Sequence, residues 1–253
     1  MRSAVVHAFA ALLLLAGHMA GGLTFGAASA QQHSSGPRDV DLVLVLAVDA
    51  SGSVNERRFE LQKQGYVAAF RNPRVHRAIG TGLHQAIAVS MVQWTGPEMQ
   101  VETVPWTLLR DRASLEAFAA AIDRAPRQLF SGGTSISGAI GHAHDMLSRA
   151  PFRALRRVID ISGDGVNNRG RPAEDARDEA VAAGVTINGL PILELDPTLD
   201  AYYRGSVIGG PNAFLVTAAT FDEFADAILK KLITEIAANG RMPLRVGAKP
   251  AEQ

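Results

Sequence analysis

Short apolar runs alternate with amphipathic stretches over most of the chain. Residues 40–48 are apolar except for Asp41, and such a run is typical of a strand buried on both faces of a sheet. The stretch after it repeats aromatic residues on one helical stripe. It opens with Ser53-Val54-Asn55-Glu56, a capping box that predicts a helix starting at Ser53.

The same alternation continues to residue 236. Further strands are predicted at residues 86–94, 100–106, 157–162, 185–190 and 213–216, and further helices at residues 114–122, 134–147, 172–183, 199–204 and 220–236. The segment 100–106 contains Pro105, which favours an edge strand. Strands alternating with helices predict one three-layer α/β/α domain over residues 39–239. Its doubly wound sheet is expected to be mostly parallel, with one antiparallel edge strand.

The start of the chain has the pattern of a cleavable signal peptide. Arg2 precedes an apolar run that contains four consecutive leucines, and small residues end in Ala28-Ser29-Ala30. We expect residues 1–30 to be removed by cleavage after Ala30, residues 31–38 to form a linker and residues 240–253 to form a disordered tail. A periplasmic or secreted protein is therefore expected, without membrane insertion after cleavage.

Composition narrows the function classes. The chain of 253 residues has no cysteine, which excludes disulfides and thiolate metal sites. Its 25 basic and 25 acidic residues balance, and no basic run indicates binding to nucleic acid.

Three short segments carry candidate chemistry: Asp49-Ala50-Ser51-Gly52-Ser53, Gly132-Gly133-Thr134 and Gly163-Asp164-Gly165. Each lies where a predicted strand ends or a predicted helix begins, and such loops meet at the carboxyl edge of a doubly wound sheet. Together they offer two carboxylates and three hydroxyls, and hard cations prefer oxygen ligands of this kind. The candidate metal ligands are Asp49, Ser51, Ser53, Thr134 and Asp164. Mg²⁺ is the expected ion, with Mn²⁺ and Ca²⁺ as alternatives.

These segments resemble the metal-ion-dependent adhesion site of von Willebrand factor type A domains. That site has an Asp-x-Ser-x-Ser loop, a Thr in a glycine-rich loop and an Asp after a central strand. The resemblance implies a protein that binds a divalent metal and, through it, an Asp or Glu of a protein partner, and it does not imply an enzyme. The chain is more similar still to an exported bacterial subset known only as a domain of unknown function. That similarity rests on Asn188-Gly189-Leu190-Pro191-Ile192, Tyr202-Tyr203 and Ile208-Gly209-Gly210-Pro211.

One feature departs from the family pattern, because Gly163 is inserted before Asp164. Asp160, inside the predicted strand, is then a second candidate ligand. We expect Asp164 to face the metal, since Asp160 would point from mid-strand into a helix-covered face. Tyr202, Tyr203 and Arg204 are candidate residues for partner recognition.

Other interpretations use the same residues. Ser53 and Thr134 could simply cap helices. A haloacid-dehalogenase-like, Mg²⁺-dependent phosphatase would use Asp49 and Asp164, but it needs an acid two residues after Asp49, where Ser51 stands. A subtilisin-like protease would use Asp49, His84 and Ser135. His76 and His84 stand in a connecting segment with Arg74 and Arg77, which is expected to be a solvated loop.

Overall fold

Five strands form the centre of the fold in the computed structural model, which describes residues 36–238. Their spatial order is β3-β2-β1-β4-β5. β1 pairs in parallel with β2 and with β4, β4 pairs in parallel with β5, and β3 is an antiparallel edge strand beside β2. The strands are β1 (Arg38–Asp49), β2 (Ile87–Trp94), β3 (Gln100–Leu109), β4 (Phe152–Gly163) and β5 (Thr186–Pro191). The predicted mostly parallel sheet with one antiparallel edge is confirmed.

Helices cover both faces of this sheet. They are α1 (Glu56–Arg71), α2 (Pro73–Ile79), α3 (Arg112–Arg124), α4 (Ile136–Ser148), α5 (Ala173–Ala182), α6 (Leu199–Tyr202) and α7 (Phe224–Ala237), with a π-helical turn at Tyr203–Val207 and a 3₁₀ turn at Phe221–Glu223. Successive β1 side chains point to opposite faces. Leu42, Leu44 and Leu46 pack with α1, α2, α3 and α7. Val43 and Val45 pack with α4, α5 and α6.

Some sequence expectations lie outside the described residues. These are the signal peptide at residues 1–30, most of the linker, the last residue of the expected domain and the tail at residues 240–253. The linker was expected to end at Arg38, but that residue already begins β1. Among residues 36–238, no helix is both long enough and apolar enough to cross a bilayer.

Three local predictions are wrong. Asn55, not Ser53, caps α1, because its side chain accepts a hydrogen bond from the backbone N–H of Arg58 at 2.9 Å. The segment around His76 was expected to be a loop, but it forms α2 after a Pro at the first helical position. Residues 213–216 form a single isolated bridge, from Leu215 to Gly189 of β5, rather than a strand.

The sheet brings two of the candidate loops to one edge. Val48 of β1 lies opposite Ser162 of β4 in the parallel register, so Asp49 and Gly163 end neighbouring strands. The chain leaves β1 toward β2 on one side, and β4 lies on the other side. Ligands bind in such a crevice in doubly wound folds.

Candidate metal centre

The loop after β1 folds back on its own aspartate. Oδ1 of Asp49 accepts the backbone N–H of Ser51 at 2.7 Å. The hydroxyls of Ser51 and Ser53 are 3.1 Å apart. On the other side of the loop, the Gln62 side chain donates to the carbonyl of Asp49 at 3.1 Å. The carboxylate and the two hydroxyls are therefore held in one tight turn.

Asp164 joins this turn from the end of β4. The Ser53 hydroxyl donates to Oδ1 of Asp164 at 2.6 Å, across 111 positions of sequence. Asp160 points to the other side of the sheet, where Nζ of Lys231 lies 2.7 Å from its Oδ1. The geometry therefore brings Asp164, and not Asp160, to the loop after β1, in spite of the extra Gly163.

Thr134 stands at the end of a loop whose Gly132 and Gly133 have positive φ angles of 119° and 81°. Its backbone is fixed by Asn168, whose side chain accepts the Thr134 N–H at 2.9 Å and whose own N–H donates to the Thr134 carbonyl at 2.8 Å. Ser135 caps α4 by accepting the N–H of Gly138 at 3.2 Å. The Thr134 hydroxyl is therefore not needed as the helix cap.

The three segments surround one open depression. It is lined by Gly52, Ser53, Ser131, Gly132, Gly133, Thr134, Asp164, Gly165, Val166, Asn168 and Asp196. Ser53, Thr134 and Asp164 face it directly, while Asp49 and Ser51 lie beneath it and are almost completely buried.

The carboxylates of this centre suit a cation. Oδ2 of Asp49 and Oδ2 of Asp164 are buried without a hydrogen-bond partner among residues 36–238. Burial, and then the neighbouring charge of Asp164, raise the pKa of Asp49 to about 7. Burial also raises the pKa of Asp164, although the Ser53 hydroxyl opposes this change. Buried carboxylates with unpaired oxygens are stabilised when they ligate a metal.

A metal here would depend on hydroxyl ligands. In the part of the chain that the structure describes, no three His, Cys, Asp or Glu side chains are grouped to hold an ion. The two carboxylates and three hydroxyls of Asp49, Ser51, Ser53, Thr134 and Asp164 form a hard, all-oxygen set. This set fits Mg²⁺, Mn²⁺ or Ca²⁺.

Arginines flank the depression. Arg58 donates to the carbonyl of Ser53 at 2.9 Å and to Glu194 at 2.6 Å. Arg127 donates to the carbonyl of Ser51 at 3.3 Å, which braces the loop from the opposite side. Arg169 is exposed and packs on Gly133, where an added Cβ would meet its Cγ at 2.6 Å.

The structure places the three residues expected to recognise a partner in different environments. Tyr203 is fully buried, so its side chain cannot contact a partner, and the expectation for it is wrong. Tyr202 is partly buried, and its hydroxyl accepts the N–H of Asn167 at 3.3 Å. Arg204 is exposed and lies 3.8 Å from Asp200. The physical reason is helical spacing, because successive residues of a helix point about 100° apart, so that Tyr203 faces the core while Tyr202 and Arg204 do not.

The protease alternative is contradicted by the geometry. The backbone of His84 binds Asp41 at 2.9 Å, near the start of β1, whereas Asp49 ends that strand. Eight residues of strand, about 26 Å at 3.3 Å per residue, separate the two positions. Ser135 caps α4, so His84 and Ser135 do not meet Asp49 in a triad. The phosphatase alternative lacks its acid, because the position that needs one is occupied by Ser51. Ser51 is buried, and its hydroxyl lies within hydrogen-bond distance of the Ser53 hydroxyl.

Sequence reasoning missed two supporting residues, Asn168 and Arg127. Asn168 follows Asp164 by four positions and fixes the Thr134 loop. The pair Asn167-Asn168 is a usable signal, because Asn side chains often hold loops through backbone hydrogen bonds. Arg127 carries no local signal, since its contact with Ser51 crosses 76 positions.

Several solved structures are similar to this fold, among them the following three. Proximal thread matrix protein 1 of the mussel byssus, with a zinc-occupied MIDAS motif, is 17% identical with a TM-score of 0.56, and the match covers 79% of this chain and 49% of that chain. The pilus adhesin SpaC of Lactobacillus rhamnosus GG, in its open conformation, is 16% identical with a TM-score of 0.54, and the match covers 81% of this chain and 31% of that chain. A von Willebrand factor type A protein of Catenulispora acidiphila is 20% identical with a TM-score of 0.50, and the match covers 78% of this chain and 43% of that chain. None of these descriptions names an enzyme. The chain spans about half of the mussel protein and about a third of the adhesin.

The fold is that of a von Willebrand factor type A domain, as the sequence resemblance predicted. A search of curated proteins returned no match. The family model described as "Protein of unknown function (DUF1194)" matches residues 39–240, and the chain belongs to that family.

Proposed function

We propose that this protein is an exported adhesion-type domain that holds a divalent metal at the carboxyl edge of its sheet and binds an acidic group of a protein partner through it. Ser51, Ser53 and Thr134 are its hydroxyl ligands. Asp49 and Asp164 contribute charge, directly or through water. The carrying observation is the pair of buried, unpaired Oδ2 atoms of Asp49 and Asp164 beside these hydroxyls.

The choice of partner is supported by the rim of the depression. Exposed apolar side chains surround it: Phe130 precedes the lining residue Ser131, Val166 lines it and Leu195 precedes the lining Asp196. Apolar groups clustered at a polar centre are typical of protein-binding surfaces. The exposed Arg169 favours an anionic group in the same place. The adhesin among the similar structures is consistent with this role.

Calorimetric titration of residues 31–253 with Mg²⁺ and with Mn²⁺ tests the metal site. One saturable site is expected, and Asp164→Asn should abolish it, because a neutral amide replaces a charged ligand. Asp160→Asn is the matched control. It alters the next carboxylate of the same strand, leaves Lys231 paired with Glu235 and should retain the wild-type affinity. Equal losses in both variants, or no binding by a folded wild-type protein, would reject the site.

The acidic partner group can be tested with Mn²⁺ bound. Water-proton relaxation reports water in the metal's open coordination positions. The peptide acetyl-Gly-Asp-Gly-amide should reduce this relaxation by displacing water, whereas acetyl-Gly-Asn-Gly-amide should not. An equal effect of the two peptides would contradict recognition of a carboxylate.

A further inference from the structure

Tyr203 is a buried polar residue beside the candidate metal centre. Its side chain is fully buried, and its hydroxyl has no hydrogen-bond partner among residues 36–238. A buried phenol without a partner is costly, so a site for its hydrogen bond is expected nearby. Burial raises the pKa of Tyr203 well above its usual value, so the phenol keeps its proton and remains a donor.

Two glycines make room for this tyrosine. A Cβ on Gly189 of β5 would meet Cδ1 of the Tyr203 ring at 2.7 Å. A Cβ on Gly163 would meet the Tyr203 hydroxyl at 3.1 Å and Oδ2 of Asp49 at 2.9 Å. The inserted Gly163 therefore has a physical reason, because any side chain there would fill the space between the phenol and the carboxylate.

The indole of Trp94 closes the same space. A Cβ on Gly163 would lie 3.2 Å from its Cζ2, which is two bonds away from the ring nitrogen. Nε1 of Trp94 is also buried without a hydrogen-bond partner in the described part of the chain. The Tyr203 hydroxyl, the Trp94 ring and Oδ2 of Asp49 therefore surround the same small space above Gly163, and neither donor nor that acceptor has a hydrogen-bond partner there. The three groups are complementary in hydrogen bonding.

The local backbone is shaped for this placement. Tyr203 begins the π-helical turn, and its carbonyl accepts the N–H of Ile208 at 3.0 Å. Single π-helical turns inside helical segments are frequent at functional sites. Here Tyr203, the first residue of the turn, is buried, while the preceding Tyr202 stays partly exposed.

We infer that Tyr203 is a positioning residue, whose phenol, together with the Trp94 indole, holds Oδ2 of Asp49 in place through one bound water. The inference rests on the proposed metal site and deepens it. Groups that orient a metal ligand from behind typically contribute 10-fold to 100-fold to metal affinity. Tyr203 therefore acts on the metal through Asp49 and does not touch the partner.

Tyr203→Phe keeps the ring and removes only the hydroxyl. We expect it to raise the dissociation constant for Mn²⁺ about tenfold. Tyr66→Phe is the matched control, because Tyr66 is equally buried but lies on the opposite face with its hydroxyl 3.3 Å from Ser162. Tyr66→Phe should keep the wild-type affinity. If Tyr203→Phe also keeps it, the inference is overturned while the metal site stands.

A metal-free measurement separates this inference from the metal site. Urea unfolding of Tyr203→Phe, Asp49→Ala and the double variant forms a mutant cycle. The two changes should be non-additive, whereas Tyr66→Phe and Asp49→Ala should be additive. If wild-type protein binds no Mn²⁺, the proposed function fails. The double-mutant cycle, which needs no metal, still tests whether Tyr203 interacts with Asp49. Additivity of Tyr203→Phe with Asp49→Ala would reject that interaction.

Discussion

Asp49 uses its two carboxylate oxygens differently. Oδ1 closes the loop by accepting the N–H of Ser51, while Oδ2 is buried and unpaired. Because burial and Asp164 raise the pKa of Asp49 to about 7, a large fraction of metal-free molecules carries a proton there at neutral pH. A metal ion and this proton compete for the same carboxylate.

Metal affinity should therefore depend on pH. A raised pKa means that the neutral acid persists to higher pH than in an exposed Asp, so the ligating carboxylate becomes available only as pH rises through 7. We expect the apparent Mn²⁺ affinity to increase about tenfold from pH 6 to pH 8 as one proton is displaced. Calorimetry in two buffers of different ionisation enthalpy would measure the proton release directly. An affinity that stays flat over this range would contradict the assignment of Asp49.

The start of α1 differs between the sequence prediction and the structure. Ser53 and Asn55 are both good caps by residue type. The choice between them depends on Asp164, which binds the Ser53 hydroxyl across 111 positions and is invisible to a local pattern. Strands β1 and β2 were predictable because buried parallel strands are nearly continuous apolar runs. For β4 only residues 157–162 were predicted, since its first half contains arginines and is partly exposed. The strand predicted at residues 213–216 does not form, since only one isolated bridge, from Leu215 to Gly189, occurs there.

The start of α4 offers a test that separates metal binding from helix capping. Thr134→Ala should weaken Mn²⁺ binding at least about tenfold while leaving the helix cap intact, because Ser135 holds the Gly138 N–H. Ser135→Ala should lower the free energy of unfolding by about 1 kcal/mol and preserve metal affinity. Calorimetry and urea denaturation of both variants give the two quantities. The reverse pattern would make Thr134 a structural residue.

Across the whole molecule, polar chemistry occurs on both sides of β4. Asp164 serves the candidate metal centre at the sheet edge, and Asp160 lies inside the layer between the sheet and α7. There Lys231 lies 2.7 Å from Asp160 and 3.5 Å from Glu235, and all three side chains are fully buried. Asn188 of β5 donates to Glu235 at 2.7 Å. This charged group joins α7 to β4 and β5.

The contribution of this buried charged group to stability can be predicted from the cost of leaving a buried charge unpaired. Burial raises the pKa of Asp160 to about 7, and Lys231 opposes the rise while Glu235 adds to it. Lys231→Met would leave two carboxylates without their cation, and breaking a buried pair in this way costs about 3–5 kcal/mol. We therefore expect a loss of that size in the free energy of unfolding, measured in urea at neutral pH.

A second variant identifies the cause of that loss. Lys231→Met combined with Asp160→Leu removes the ion pair as a unit, and it should recover part of the lost stability, because an apolar pair carries no uncompensated charge. Where the fold is retained, Mn²⁺ affinity should stay at the wild-type value, since the pair lies away from Asp49 and Thr134. A metal site that weakened with Lys231→Met in folded protein would instead mean that the layer under α7 and the sheet edge are coupled. The carboxylates of Asp160 and Asp164 would then act as one system.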